Sequence, residues 1–167
     1  MVETALPGVT VPGVTHHILK NDHASEWMGI EVLSISDGHA TIRMALRQEM
    51  LNGFGIAHGG MIFAFADSAF ALACNPANPT AAEADSITVA AGVDVNFLKP
   101  AYQGQVITAV ANRRASSGRS GLYDIQIFAV DAGAQRTSGA TPDTPAHVPP
   151  GELIAEFRGR SRTISKK

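Results

Sequence analysis

Between Met61 and Cys74 the chain reads MIFAFADSAFALAC, a run in which Asp67 and Ser68 are the only strongly polar side chains. Its length and freedom from proline predict a helix over 59–75. Apolar residues fall on nearly every face, so such a helix has to be surrounded rather than laid on a surface. The fold must therefore wrap something around this segment. Its one carboxylate is the anomaly, because an ionised carboxylate removed from water costs on the order of several kcal/mol unless it is paired. Asp67 needs either a satisfying partner or a chemical task.

The wrapping has to come from strands. From Gly29 to Leu46 the sequence GIEVLSISDGHATIRMAL has a period of two and predicts two strands joined at Asp37-Gly38, a strong hairpin-turn pair. Ala40, Ile42, Met44 and Leu46 share one face, and Thr41, Arg43 and Arg47 the other. A Gly- and Asn-containing connection over 47–57 leads to the helix, and a linker over 76–84 follows it. Residues 86–98, 104–115, 121–131 and 152–164 then alternate as strands. The stretch from His16 to Met28 predicts a short helix with His17, Leu19 and Trp27 as core contacts. Residues 1–15, with two Pro-Gly pairs, predict an extended or disordered leader, and 132–150, rich in Gly, Pro, Ser and Thr, a long loop. The expectation is one α+β domain over 16–167, an antiparallel sheet around a central helix. A single helix covers only one face of such a sheet, so self-association is expected.

Composition excludes several classes of function. A formal charge of −2 provides no excess positive field for a nucleic-acid backbone. Cys74 is the only cysteine, which rules out an intramolecular disulfide and a thiolate zinc cluster, and its apolar neighbours make it a buried, inert thiol. No histidine has convincing ligand spacing, His16-His17 is expected to be exposed, and no metal is predicted. The apolar run is too short to span a bilayer, and the reading is a soluble, cytoplasmic protein. Basic residues are uneven: three precede Lys99 and ten lie from Lys99 onward, enough for a small polyanion or simply for solvated strand edges.

The entry to the helix, His58-Gly59-Gly60, carries the other half of the chemistry. Amides in the first helical turn point out unpaired with partial positive charge and suit a developing oxyanion, and two glycines let a substrate approach closely. Asp67 lies about 12 Å further along the helix axis at 1.5 Å per residue, too far for one carbonyl to touch both groups in one subunit. Two such helices packed antiparallel across a two-fold axis would bring Gly59 of one to Asp67 of the other, giving two composite sites per dimer. Gly59 would then polarise a carbonyl while Asp67 acts as general base on water or as the nucleophile. Ser68 and Asn52 are candidates to hydrogen-bond the carboxylate or the water. The competing reading makes Asp67 a helix carboxylate that captures a backbone amide or an arginine, and His58 a capping residue.

These residues also resemble a family. The segment LNGFGIAHGGMIFAFADSAFALACN is similar to the motif of the hotdog-fold thioesterases of phenylacetate degradation, the PaaI family. The similarity extends to NDHASEWMGIEV, VDVNFLKPAYQGQ, SGLYDIQIFAVD and EFRGRSRTI, most of residues 20–164. It implies an antiparallel sheet wrapped around a long central helix, dimers that pair into a homotetramer, and hydrolysis of acyl-CoA thioesters with no metal and no cofactor, coenzyme A being part of the substrate. Asp67 takes the place of the family's catalytic carboxylate and Gly59 that of the carbonyl-polarising amide. Asn52, His58, Gly60, Ser68 and Asn21 fall on neighbouring substrate-binding positions. The phosphates of coenzyme A give the basic residues a purpose, with Lys99, Arg113, Arg114 and Arg119 as candidates. The leader and the loop over 132–150 depart from the pattern and bear on substrate choice. The expected substrate is an aryl-acetyl or medium-chain acyl-CoA. The alternatives are a non-catalytic acyl-CoA-binding protein of the same fold, which would not need Asp67, and an acyl-CoA hydratase using His58 with a carboxylate.

Overall fold

The computed structural model describes residues 16–133 and 151–166. The expected leader over 1–15 and the loop over 132–150, apart from its first two residues, lie outside them. The elements are α1 (His23–Met28), β1 (Glu31–Ser36), β2 (His39–Ala45), α2 (Gly59–Cys74), β3 (Ser86–Phe97), β4 (Gln105–Ser117), β5 (Ser120–Asp131) and β6 (Glu152–Ser165), with short 3-10 turns at His17–Leu19 and Gln48–Met50. One antiparallel sheet of six strands runs in the order β1-β2-β4-β5-β6-β3. Helix α2 lies against it and touches every strand.

The alternating pattern of β2 works as its sequence requires: Ala40, Ile42, Met44 and Leu46 are buried against the helix. From the helix side, Phe65, Ala66, Ala69, Phe70, Leu72 and Ala73 join Ile107, Ala109, Ile125, Ile127 and Phe157 in one core. Phe70 reaches the sheet because β6 has Gly159 opposite it; a Cβ there would lie 2.7 Å from the Phe70 ring.

The N-terminal helix divides where one helix was expected. Asp22 caps a new start at α1 by accepting from the Ser25 amide at 3.0 Å. His17 and Trp27 are not core residues: His17 is exposed, and Trp27 is 48% exposed with the Arg47 guanidinium 5.1 Å above its ring. Met28 and Ser25 are buried instead. His16, expected at the surface, is only 5% exposed. Its Nε2 sits 3.0 Å from the Asn75 carbonyl, and its Nδ1 accepts from the Ile18 amide. Asn75, at the end of α2, explains why this corner is closed. Its side-chain amide donates to the carbonyls of Ala71 at 3.0 Å and Thr88 at 2.9 Å, and its Oδ1 accepts from the Thr88 amide at 2.9 Å.

Strand β3 therefore starts beside the C-terminal end of α2, at Thr88. It finishes beside the N-terminal end, where the Phe97 ring lies 3.2 Å from the Cβ position of Gly59. It runs back along the helix as an edge strand with one side unpaired among the described residues. Ile87, Val89, Val93 and Phe97 along it are exposed. The sheet encloses one flank of α2, and the flank next to the β3 edge stays open.

Candidate active site

The open flank of α2 carries the residues that the sequence singled out. His58 is the N-cap in extended conformation, and its Nδ1 accepts from the Gly60 amide at 3.0 Å. It serves as a cap, and with Nδ1 committed to Gly60 it is poorly placed as a base. The next donors are used within the helix, since Met61 and Ile62 both donate to the His58 carbonyl. The Gly59 amide has no acceptor among the described residues. It is left pointing out of a helix N-terminus, with the edge of the Phe97 ring beside it.

Asp67 lies two turns on, half-buried. Among the described residues it has neither a hydrogen-bond partner nor an ion pair, so the reading in which it captures an amide or an arginine finds no partner. Burial alone pushes its carboxyl above the ordinary value of 3.8. On the same side of the helix, burial pushes the Cys74 thiol up to about 12, and the Asp67 charge adds to the rise. Cys74 is half-buried where its neighbours predicted a buried thiol, and a thiol held that high stays protonated at neutral pH, as an inert one does.

Ser68 follows Asp67, but its hydroxyl lies 3.2 Å from Ser25 Oγ, and Ser25 donates to Asp22. Ser68 ties α2 to α1 and forms no bond to Asp67. Asn52 is engaged locally as well: its Oδ1 accepts from the amides of Phe54 at 2.9 Å and Ile56 at 3.4 Å, which shapes the loop that delivers His58. Asn21 is exposed in the turn before α1, with no side-chain hydrogen bond among the described residues.

The four basic candidates are scattered. Lys99, just past β3, pairs with Glu152. Arg113 pairs with Asp37 in the β1–β2 turn, one contact being 3.0 Å. Arg114 pairs with Asp124 at 2.7 Å on the other face of the sheet, where Arg158 holds the same carboxylate at 2.6 Å. These two arginines keep the Asp124 carboxyl below its ordinary value. Arg119, in the β4–β5 turn, has no ion pair among the described residues. It lines a cavity of about 600 Å³ at the C-terminal end of α2, together with Arg113, Tyr123 and Lys166. Among the described residues no three His, Cys, Asp or Glu side chains come together as a metal-ligand set, and no helix is long and apolar enough to cross a membrane.

Two aromatic residues escaped the sequence reading. Phe97 lies against Gly59, and Phe63, one turn from both Gly59 and Asp67, is 37% exposed on the open flank. Helical spacing from Gly59 would have found Phe63. The contact of Phe97 with Gly59 depends on where β3 ends and has no local signal.

Comparison with known proteins bears on this arrangement. The thioesterase superfamily model matches residues 54–134. The acyl-coenzyme A thioesterase PaaI of Escherichia coli (strain K12) is 37% identical over 112 residues, covering 67% of this chain and 75% of that protein. Among solved structures, the E. coli PaaI protein of the phenylacetic acid degradation operon aligns with a TM-score of 0.70 at 31% identity, covering 90% of each chain. The TT0310 protein of Thermus thermophilus aligns with a TM-score of 0.65 at 28% identity, covering 84% of this chain and 97% of that one.

Proposed function

The chain belongs to the PaaI-type hotdog thioesterases and is a thioester hydrolase; from that premise we propose that it cleaves acyl-CoA thioesters in composite sites, each built from Gly59 of one subunit and Asp67 of the other. The observation that carries this reading is the half-buried Asp67, which has no partner among the described residues, two turns from a helix-terminal amide that likewise has none there. A carboxylate held in that state costs stability and makes sense as a base. The separation of about 12 Å along one helix means that a second copy is needed, and the open flank beside the unpaired β3 edge is where a second copy fits.

In this mechanism the thioester carbonyl oxygen accepts from the Gly59 amide. The partner subunit's Asp67 takes a proton from water as the water oxygen bonds to the carbonyl carbon. The tetrahedral oxyanion gains most from the Gly59 donor, because its charge is greatest there. Collapse breaks the C–S bond, and the coenzyme A thiolate leaves and takes up the proton. Water is the only co-reactant, so no metal or cofactor enters the proposal. The raised pKa of Asp67 makes it a stronger base than an exposed aspartate. His58 supports the site by holding Gly60 in the cap, and Asn52 by setting the loop before it. The acyl group is aryl-acetyl or medium-chain, in keeping with the aromatic surroundings of Gly59. For the coenzyme A phosphates Arg119 is the favoured group, because Lys99, Arg113 and Arg114 are already paired.

Mixed dimers test the composite site. An Asp67→Asn chain retains Gly59, and a Gly59→Pro chain retains Asp67, so each alone is defective while a mixed dimer contains one intact site. Unfolding and refolding the two variants together should restore up to roughly a quarter of wild-type turnover, as random pairing requires. Activity no higher than the mean of the separate variants would place both groups of each site in one chain and reject the proposal.

A further inference from the structure

We infer that Phe63 lies on the two-fold axis of the dimer, where it and the partner's Phe63 form the wall shared by the two acyl pockets and limit the length of the acyl group. The inference rests on the composite-site reading above. Two-fold symmetry makes contacts reciprocal: if Gly59 faces the partner's Asp67, then Asp67 faces the partner's Gly59. The residue midway between them in sequence must then meet its own copy at the axis, and that residue is Phe63.

The side chain at this position suits the role. Gly59, Phe63 and Asp67 follow one another at intervals of four, which turns the helix face by only about 40° per step. Among the incompletely buried residues of this stretch, Gly59, Gly60, Ala64, Asp67 and Ser68 are small or short and Met61 is packed against the core, while Phe63 projects with 37% of its surface exposed. Its ring is held from behind by Phe157, at 5.6 Å between centroids and 55° between planes, and Phe157 is itself fully buried. Phe63 is therefore backed on one side by a buried ring.

Its position also assigns a direction to the substrate. The carbonyl sits at Gly59, and one turn toward the axis the surface is the Phe63 ring. The apolar acyl group therefore points toward the axis, and the polar coenzyme A arm points away from it. Four residues of helix leave about 6 Å between the carbonyl and the axis, room for one aromatic ring or a short alkyl chain before the paired Phe63 rings stop it. Phe97, on the Gly59 side, forms the other apolar wall.

Two measurements decide this. First, kcat/KM is compared across straight-chain acyl-CoAs and phenylacetyl-CoA for wild type, Phe63→Ala, Phe63→Leu and Phe63→Trp. Removing the wall should shift the ratio of long to short substrates toward long ones by roughly tenfold or more, the scale of one to two methylenes in an apolar pocket. The Phe63→Trp change should shift it the other way. An unchanged length profile in folded Phe63→Ala or Phe63→Leu protein overturns the wall. Second, in a Cys74→Ser background, a short bis-maleimide should join Phe63→Cys subunits into covalent dimers. It should leave Ala71→Cys subunits unjoined, because those copies would be about 24 Å apart along the helices. Joining no faster at 63 than at 71 overturns the axial position. That failure alongside successful complementation by mixed dimers would remove only the inference. Failure of complementation would remove the reading beneath it.

Discussion

Asp67, within α2, and Asn75, the residue that caps its C-terminal end, are polar side chains eight residues apart, and they are treated in opposite ways. Asn75 makes three side-chain hydrogen bonds to Ala71 and Thr88, and its carbonyl holds His16. Asp67, half-buried, has no such bond among the described residues, and its carboxyl is pushed up by desolvation alone. Buried polar groups in folded proteins are almost always satisfied. The satisfied one belongs to the architecture, where it fixes the end of α2 against the start of β3. On the function proposed above, the unsatisfied one marks the place where the fold gives up stability for chemistry. Substitutions along α2 should therefore separate activity from stability according to which half they touch.

The largest effect is expected at Asp67. Asp67→Asn keeps the shape and removes the proposed base, and turnover should fall by roughly 10² to 10⁴ with acyl-CoA affinity largely retained. The same change should raise the melting temperature at neutral pH, because it deletes a charge that the fold desolvates. Thiol release with a chromogenic disulfide and a thermal melt on one preparation check both. Lower activity together with a lower melting temperature would return Asp67 to the structural class.

Next comes Gly59→Pro, which removes the proposed oxyanion donor. Gly59 opens α2 as its first residue, where proline is tolerated because the missing N–H bonds nothing in the helix. The preceding His58, at φ −64° and ψ 130°, already has the extended conformation that a following proline demands. A Cβ at Gly59 lies 3.2 Å from the far end of the Phe97 side chain, which has to give by a few tenths of an ångström. Turnover should fall by roughly 10² to 10³ with little change in the unfolding midpoint, as read by steady-state assay and denaturant titration.

Asn75→Ala should show the reverse pattern. It strands the Thr88 amide and carbonyl and frees the end of α2, at a cost of about 2–4 kcal/mol for several part-buried hydrogen bonds. The kcat of the protein that remains folded should stay within about twofold, because the substitution touches neither proposed reacting group. Urea titration and active-site-normalised turnover provide the two numbers.

Much of this division was legible in the sequence, and its limits are physical. Period-two alternation and the apolar run place the helix and all six strands to within a few residues, because burial on one face is a local demand on each segment. Asp67 stood out because a carboxylate in such a run conflicts with its surroundings. That it lacks a partner among the described residues is a tertiary fact, as is the clamp at Asn75, whose partner Thr88 lies across the linker that follows the helix. His16 was misread for the same reason: the carbonyl that buries it is far away in sequence. The basic residues are the clearest case. Arg113 and Arg114 are adjacent in sequence, yet strand alternation sends one to Asp37 and the other to Asp124 on the opposite face, so a count of charges could not make a phosphate site of them.

The smallest expected effect is the dependence of stability on pH, where the two halves of α2 should have opposite signs. Asp67 has a folded-state pKa above its unfolded value of 3.8. Its contribution is fully present below that value and is lost as pH rises through the folded pKa, so the stability gained by Asp67→Asn should open as pH is raised through the same range. His16 behaves the other way. Burial holds its pKa below the ordinary 6.5, and both ring nitrogens are satisfied only in the neutral form that donates from Nε2 to the Asn75 carbonyl. Its contribution is present above 6.5 and is lost as pH falls through the lowered folded value. Unfolding midpoints across this range for wild type, Asp67→Asn and His16→Gln should show the variants removing opposite limbs of one shallow curve. If both removed the same limb, the contrast between the proposed catalytic half of the helix and the clamped half would fail.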